Sequence, residues 1–277
     1  MDYLHYLLII VILVLVTINN ISAIRKYYYP WFFSISKTLI RDIKRHRKNN
    51  SFPKKIIAKD YRKSVFYSQF SSDELKIIQK KLSWNYQVAV MNLNGNLNVG
   101  AIYRSGCLLG MDKYLILGKK IYYPKSQVGL DYVPIEYLDT FNKIRDRYDP
   151  STVENFNIKV FEKYLIKNKL IPLIIEQGGI NLLSINFHQK EQQLKKGEKY
   201  LFIFGNETHG VSSNLLKLAK TKNWLILTIP QWGCAHSFNV SQAANIIMWK
   251  YYYDNILKLP SGFEPEALCL RSICSAN

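Results

Sequence analysis

Glu207 lies between two glycines in the motif Phe-Gly-Asn-Glu-Thr-His-Gly, residues 204–210. Two glycines allow a backbone turn that other residues resist, so the carboxylate could be presented on a tight loop. There it could orient an arginine or a substrate hydroxyl. The spacing is not that of a phosphate-binding loop, because both GxxxxGK and GxGxxG are absent. An ordinary loop, with Glu207 near the start of a helix, is the plainer interpretation of this motif, which is the second of three along the chain.

The first motif along the chain is Asn-Val-Gly-Ala-Ile-Tyr-Arg, residues 98–104, which directly follows an apolar run. On a helix, Gly100 and Arg104 share a face because they are four residues apart. The glycine would leave space beside the arginine side chain. Taken alone, the same pattern is compatible with a helix that merely packs on a sheet and leaves Arg104 exposed.

The third motif, residues 229–241, is Ile-Pro-Gln-Trp-Gly-Cys-Ala-His-Ser-Phe-Asn-Val-Ser and also follows an apolar run. Ser237 is predicted to be the N-cap of the helix that comes next, and capping alone would account for it. His209 and His236 would suit a histidine-based hydrolase, but the nucleophile elbow GxSxG is missing. The five histidines also lack metal-ligand spacing such as HExxH.

Together and in this order, the three motifs resemble those of the SpoU/TrmH family of RNA 2′-O-ribose methyltransferases, in the SPOUT class. The family pattern is Asn-x-Gly-x-x-x-Arg, then Phe/Gly-x-Glu-x-x-Gly, then Ile-Pro-x-x-Gly-x-x-x-Ser-Leu-Asn-Val-Ser. This sequence has every polar position of that pattern. It has Gln231 where methionine is usual and Phe238 where leucine is usual. The resemblance covers about residues 87–253 and has least support across residues 119–150.

The resemblance implies a SPOUT-type fold with a deep trefoil knot in the C-terminal part of the domain. It implies S-adenosylmethionine as cofactor, held by backbone groups at Gly205, Ile229 and Phe238. It also implies a homodimer formed around the knot, and tRNA or rRNA as the substrate. The reaction would be methyl transfer from a sulfonium to a ribose 2′-hydroxyl, for which no metal is needed.

By the same resemblance, Arg104 is the catalytic residue, and the polar site is completed by Asn98, Glu207, Ser237 and Asn239. A ribose hydroxyl is a poor nucleophile, so the site must position it and help to remove its proton. Arginine is a difficult base, because its pKa exceeds about 12. Arg104 could instead bind the adjacent phosphate and stabilise the developing oxyanion. The sequence is compatible with both roles.

Strands alternate with helices through most of the chain, which predicts an α/β fold with a mostly parallel sheet covered on both faces. Residues 71–74, Ser-Ser-Asp-Glu, form a capping box ahead of a helix with Leu75, Ile78 and Leu82 on one face. Residues 119–150 are poorly periodic and are interpreted as a long insertion. The predicted strands are 87–93, 113–117, 171–175, 200–204 and 225–229, and the further helices are 99–109, 153–167, 212–219 and 239–253.

The 277 residues include 38 Lys or Arg and 20 Asp or Glu, a formal net charge of +18. This excess favours a polyanionic partner, either nucleic acid or an anionic membrane surface. A solvated surface in a lysine-rich proteome would have the same composition. Hydrophobic residues make up 48% of the chain, which excludes a fully disordered protein. The four cysteines form no CxxC pair, so neither a zinc ribbon nor a disulfide scaffold is indicated.

Residues 3–24 contain no Asp, Glu, Lys or Arg over 22 positions. A helix of this length rises roughly 33 Å, about one hydrocarbon thickness. Basic and aromatic residues follow at once, as they do at bilayer interfaces, so we expect a single-pass anchor at residues 1–26 with the remainder cytoplasmic. The alternatives are a cleaved signal peptide, a buried core helix and an organellar presequence, which would leave the protein soluble or in an organelle.

A basic stretch, residues 37–63, holds eleven Lys or Arg and two Asp, and its densest cluster is Lys44, Arg45, Arg47 and Lys48. It could bind anionic lipid headgroups or RNA phosphates, or form a solvated linker. The predicted organisation is an anchor at 1–26, a basic and aromatic linker at 27–70, a methyltransferase domain at 71–258 and a flexible tail at 259–277.

Two other functions fit part of the pattern. A membrane-tethered RNA-binding protein could keep the knotted fold without catalysis, although the intact polar positions of the three motifs argue against it. An unrelated membrane-surface adaptor would use only the basic stretch, and the three motifs would then be coincidence.

Overall fold

The computed structural model describes residues 71–91, 96–118, 132–138 and 156–256. Apart from Ile256, these residues belong to one unit that spans Lys59–Asn255. The predicted anchor, the basic stretch and the tail lie outside the described residues, so these three predictions are untested. Within the described ranges, no helix is both long and apolar enough to cross a membrane.

Six strands form one sheet in the order β3-β2-β1-β5-β4-β6, and every neighbouring pair is parallel. The carboxyl ends of the strands therefore lie along one edge of the sheet, where the loops that follow them meet. The strands are β1 (Tyr86–Met91), β2 (Tyr114–Leu117), β3 (Ile135–Leu138), β4 (Leu170–Asn181), β5 (Lys199–Phe204) and β6 (Leu225–Thr228).

Six α-helices and a short 3₁₀ helix, Leu182–Ser184, connect and flank the strands in the described ranges. The first helix begins with the predicted capping box: Ser71 Oγ accepts a hydrogen bond from Glu74 N at 3.3 Å, and Ser71 N donates to Glu74 Oε2 at 2.8 Å. The helices are α1 (Ser72–Leu82), α2 (Asn96–Leu108), α3 (Ile158–Asn168), α4 (Phe187–Glu191), α5 (Ser213–Thr221) and α6 (Val240–Ile256).

Alternate residues of the central strands enter two separate cores, one on each face of the sheet. In β1, Val88 and Val90 pack in the core that includes residues of α2 and α6. Ala89 and Met91 pack in the core that includes residues of α3 and α5. All four side chains are fully buried. A sheet buried on both faces explains the continuous apolar runs, and the predicted α/β fold with a mostly parallel sheet is confirmed.

The structure differs from the predicted elements in three places. Strand β3 lies inside residues 119–150 and pairs with β2, so that segment is not simply an insertion. Strand β4 continues well beyond the predicted end at Ile175, with a shift of register before Ile180. Of the three residues predicted on one face of α1, Leu75 and Ile78 are buried, but 36% of Leu82 is exposed because it lies at the helix end.

Candidate functional site

The three motifs all lie at the carboxyl edge of the sheet. The first motif is on α2, which comes after β1, the second follows β5, and the third follows β6. Strands β1 and β5 are neighbours, and only β4 separates β5 from β6. Ligand sites of parallel α/β sheets form at this edge, because the loops there converge. The topology therefore brings the first motif close to the second and third motifs, which follow it in sequence by about 100 residues or more.

The second motif forms a tight, internally bonded loop. Asn206 N donates to Gly210 O at 2.8 Å, and Gly210 N donates to Asn206 O at 2.9 Å. The Asn206 side-chain oxygen also accepts hydrogen bonds from the backbone N–H groups of Thr208 and His209. Gly210 has φ +65°, which favours glycine. The loop presents Glu207 on its exposed tip.

Gly205 leads into this loop at a point where a side chain would not fit. A Cβ on Gly205 would lie 2.5 Å from the backbone nitrogen of Val211 and closer still to the carbonyl carbon of Gly210. Both neighbours are backbone atoms, which cannot rotate away. Glycine at position 205 therefore allows the two ends of the loop to pack against each other.

The third motif is an exposed loop that leads into α6. Ser237 was predicted to cap this helix, but the structure shows that Asn239 does so. Asn239 Oδ1 accepts from Ser241 N at 2.8 Å and from Ser241 Oγ at 2.7 Å. Asn239 immediately precedes Val240, the first helical residue, whereas Ser237 lies three residues before it. The capping prediction for Ser237 is therefore wrong, and Ser237 faces the neighbouring cavity instead.

A cavity of about 630 Å³ lies between the second and third motifs and residues 175–177 of β4. The predicted cofactor residues and three of the predicted polar residues all line it. These six residues are Gly205, Glu207, Ile229, Ser237, Phe238 and Asn239. The predicted site residues of the second and third motifs thus converge on one space.

The two predicted residues of the first motif have different positions. Asn98 Nδ2 donates a 2.8 Å hydrogen bond to Glu207 Oε1, which ties α2 to the cavity. Arg104 is exposed on α2 and is not part of the cavity lining. Among the described residues, no hydrogen bond or ion pair engages its guanidinium group, which is therefore accessible to a ligand.

Glu176 and Gln177 also line the cavity, and both were missed from the sequence. Glu176 Oε2 accepts from Val211 N at 3.1 Å, and its backbone oxygen accepts from Thr228 Oγ1 at 2.7 Å. Gln177 Nε2 donates to the backbone oxygen of His236 at 2.9 Å. These bonds join the middle of β4 to the end of β6 and to the loops after β5 and β6. The available signal was a polar pair followed by two glycines, directly after an apolar strand.

No trio of His, Cys, Asp or Glu side chains in the described part of the chain is arranged to hold a metal ion. The cavity can bind a small molecule through the backbone and polar groups of its loops. Its two acidic side chains, Glu176 and Glu207, are each held by hydrogen bonds from other segments.

Residues 85–249 match the model of the SpoU rRNA Methylase family, and this match covers well over half of the chain. The chain belongs to this family. The match begins just before β1 and ends within α6, so it contains all three motifs and the whole cavity lining. It confirms the SpoU/TrmH resemblance. A comparison with curated proteins finds no match.

Solved structures similar to this SpoU-family chain include three with low sequence identity. The A. aeolicus TrmH/SpoU tRNA modifying enzyme is 18% identical, with a TM-score of 0.49, and covers 74% of this chain and 96% of its own. The AdoMet-bound rRNA methyltransferase from Sinorhizobium meliloti is 17% identical, with a TM-score of 0.46 and coverages of 65% and 59%. The AdoMet complex of AviRb from Streptomyces viridochromogenes is 20% identical, with a TM-score of 0.43 and coverages of 65% and 62%.

Proposed function

We propose that this SpoU-family chain transfers a methyl group from S-adenosylmethionine to a ribose 2′-hydroxyl of tRNA or rRNA. The observation that carries the proposal is the single cavity lined by Gly205, Ile229 and Phe238, the residues expected to hold the cofactor. Glu207 lines the same cavity and is bonded to Asn98 of the first motif. One space thus joins the cofactor residues to the polar residues of the other motifs.

The cavity fits S-adenosylmethionine in size and in chemistry. Its volume of about 630 Å³ falls within the roughly 300–1,000 Å³ of small-molecule sites. Apolar side chains such as Ile175 and Phe204 line it together with the loops of the second and third motifs, whose backbone groups can bind polar parts of a ligand. When bound, this cofactor supplies an electrophilic methyl group on a positively charged sulfur.

The chain's own residues would position and activate the ribose. Asn98 fixes the Glu207 carboxylate beside the cavity. There the carboxylate can orient a hydroxyl group or a guanidinium. The Arg104 guanidinium can bind an RNA phosphate and stabilise negative charge that develops on the 2′-oxygen. Its exposure on α2 leaves it open to a large substrate.

Two features support RNA as the substrate. The chain has a net charge of +18, which attracts a phosphate backbone. Trp232, in the third motif, is fully exposed, and its neighbour Gln231 lines the cavity. Unstacked bases pack well on exposed aromatic rings, so Trp232 offers a surface for a nucleotide near the site.

The proposal includes the finer features that the family resemblance implies. These are a trefoil knot in the C-terminal part of the domain and a homodimer formed around it. It also includes a single-pass membrane anchor at residues 1–26, with the catalytic domain on the cytoplasmic side. The uncharged run at residues 3–24 and the basic residues after it support this location.

The test is methyl transfer by the full-length chain from tritiated S-adenosylmethionine to separate tRNA and rRNA pools, followed by mapping of 2′-O-methyl nucleotides. We expect label in one pool, at ribose positions, and a much lower rate for Glu207→Gln. Label on bases would contradict ribose specificity. Binding of cofactor and RNA without transfer to either pool would favour the alternative, a catalytically inactive, membrane-tethered RNA-binding protein.

A further inference from the structure

We infer that the Glu176 carboxylate makes the cavity select a methyl donor that carries a positive charge over the neutral thioether left after transfer. The inference rests on the proposed function, because it concerns the ligand of the same cavity. It assigns Glu176 a role in ligand specificity, and none of the three motifs contains this residue.

The Glu176 carboxylate is held in the cavity wall by backbone groups on two sides. Its Oε2 accepts from Val211 N at 3.1 Å, and its Oε1 accepts from Gln177 N at 2.9 Å. A Cβ on Gly210 would lie 2.8 Å from Oε2, so the glycine leaves room for the carboxylate. These two N–H groups fix the direction of the carboxylate in the cavity wall. A ligand therefore meets a negative charge whose position is set before binding.

The charge of the cavity is opposite to that of the chain. Its lining includes the carboxylates of Glu176 and Glu207 and the imidazoles of His209 and His236, and none of the lysines and arginines in the described part of the chain lines it. The whole chain has 38 Lys or Arg against 20 Asp or Glu. A negative cavity in a strongly basic protein attracts cations and does not favour the anionic groups that the outer surface attracts. Phosphate is therefore a poor ligand for this space.

The two carboxylates have different surroundings. Glu207 is exposed and accepts a hydrogen bond from Asn98, a residue of the first motif on α2. Glu176 is partly buried in β4, just after Ile175 where the register shift begins, and it is bonded to the end of the second-motif loop. Solvent screens an exposed charge more strongly than a partly buried one. Glu176 is therefore the carboxylate that contributes more to the discrimination of ligand charge.

The charge of the ligand changes in the proposed reaction. The bond between sulfur and the methyl carbon breaks, its electron pair stays on sulfur, and the methyl carbon bonds to the ribose oxygen, whose proton passes to solvent water. The sulfonium thus becomes a neutral thioether. A carboxylate in the cavity wall attracts the sulfonium and not the thioether, so it favours binding of the donor and release of the product. Because the positive charge on sulfur diminishes in the transition state, the carboxylate stabilises the bound donor more than the transition state, so it lowers KM without raising kcat.

Glu176 also ties β4 to the second-motif loop, and a purely structural role would weaken the binding of all ligands alike. Two substitutions separate these roles. Glu176→Gln keeps the size of the side chain and one acceptor oxygen but removes the charge. Glu176→Asp keeps the charge but is too short to preserve both hydrogen bonds. Glu162→Gln is the matched control, because Glu162 pairs with Lys222 at 3.6 Å and does not line the cavity.

The experiment is calorimetric binding to the full-length chain and these three variants, with thermal unfolding as a check of folding. The ligands are S-adenosylmethionine, S-adenosylhomocysteine and sinefungin, which has a protonated amine in place of the methylsulfonium. We expect the wild type and Glu162→Gln to bind the two cationic ligands about tenfold more tightly than the thioether. Glu176→Gln should lose most of this preference, with less than about a threefold change for the thioether, and Glu176→Asp should keep part of it.

Three results would overturn the inference. An equal loss of affinity for all three ligands in Glu176→Gln would mean that the residue is only a structural tie. An unchanged preference in a folded Glu176→Gln would mean that its charge does not act on the ligand, while the proposed function would stand. Failure of the wild type to bind any of the three ligands would overturn the proposed function itself, and the inference with it.

Discussion

Asn98 Nδ2 donates a 2.8 Å hydrogen bond to Glu207 Oε1, a contact between residues 109 positions apart in the chain. It joins α2, which carries the first motif, to the loop after β5, which carries the second. The pairing of β1 with β5 makes the contact possible, because it sets the two carboxyl ends side by side. The two motifs are therefore in direct contact at one edge of the sheet.

We expect Asn98→Ala and Glu207→Ala to lower the rate of methyl transfer, and the double variant to be little worse than the stronger single one. Residues in direct contact have coupling energies of about 0.5–3 kcal/mol, so their effects do not add. The measurement is a double-mutant cycle on tritiated methyl transfer to RNA. Fully additive effects would show that the hydrogen bond does not matter for the reaction.

The matched control for this cycle is another exposed Asn–Glu hydrogen bond in the same protein. Asn85 Nδ2 donates to Glu191 Oε1 at 2.7 Å, but Asn85 precedes β1 and therefore lies at the opposite edge of the sheet. Asn85→Ala should leave methyl transfer close to the wild-type rate. A similar loss in Asn85→Ala and Asn98→Ala would point to a general effect on folding.

Gly205→Ala should lower the affinity for S-adenosylmethionine by tenfold or more. The added Cβ would collide with the backbone of Gly210 and Val211, so the second-motif loop must move, at a cost of roughly 1–3 kcal/mol. Gly233→Ala is the control, because a Cβ there meets no atom within 4 Å. Calorimetric titration of both variants checks the prediction, and equal affinities would show that the loop is not part of the cofactor site.

The central strands were predictable because each is buried on both faces, which requires an almost unbroken apolar run. Strand β3 was not, since it has only four residues, all half-buried, and lies at the sheet edge. Its Glu136 is accommodated by Lys113 at 2.7 Å and Tyr164 at 2.8 Å. These contacts depend on the tertiary structure, so local sequence carries little signal for this strand.

Some residues of the candidate site could likewise be predicted from the sequence, and others could not. The motif residues could be predicted because their types and spacing match a family pattern over three segments. Glu176 could not, because its place in the cavity depends on the irregular end of β4 and on a bond to Val211, 35 residues away. The helix cap was misassigned to Ser237 because serine and asparagine are about equally good N-caps, and only the start of α6 at Val240 distinguishes them.

Asp112 should make the folded state sensitive to acid. Its buried carboxylate contacts Lys199 Nζ at 2.8 Å and also Lys80, and it accepts from Gln87 Nε2 at 3.1 Å and from Ser83 Oγ at 3.3 Å. Burial raises the pKa of Asp112, but the hydrogen bonds and charges of Lys199 and Lys80 outweigh it, so the net pKa is lowered. The folded state thus holds this proton less tightly than the unfolded state does.

It follows that this stabilisation is present above the ordinary aspartate pKa of about 3.9 and is lost as the pH falls through the lower folded-state pKa. We expect Asp112→Asn to reduce the free energy of unfolding by about 1–3 kcal/mol at pH 7, with a smaller difference from wild type near pH 3. Urea unfolding at both pH values tests this. Asp73→Asn, at an exposed pair with Lys76, should change stability by less than about 0.5 kcal/mol. If the difference in unfolding free energy between wild type and Asp112→Asn did not change with pH, the protonation of Asp112 would not be coupled to stability.

Arg104 should affect the rate of methyl transfer and not the binding of the cofactor, because it is exposed on α2 and lies outside the cavity lining. Loss of one well-placed electrostatic or proton-transfer group costs roughly 10²-fold in rate, so Arg104→Ala should lower transfer by about that factor. Arg104→Lys keeps the charge but loses the planar fork, so it should restore little activity if Arg104 binds a phosphate through two hydrogen bonds.

Lys163→Ala, an exposed cation on α3, controls for the loss of surface charge. The measurements are tritiated methyl transfer to RNA and calorimetric binding of S-adenosylmethionine. Wild-type transfer by Arg104→Ala would remove this residue from the mechanism, whereas a parallel loss of cofactor affinity would place it at the cofactor site.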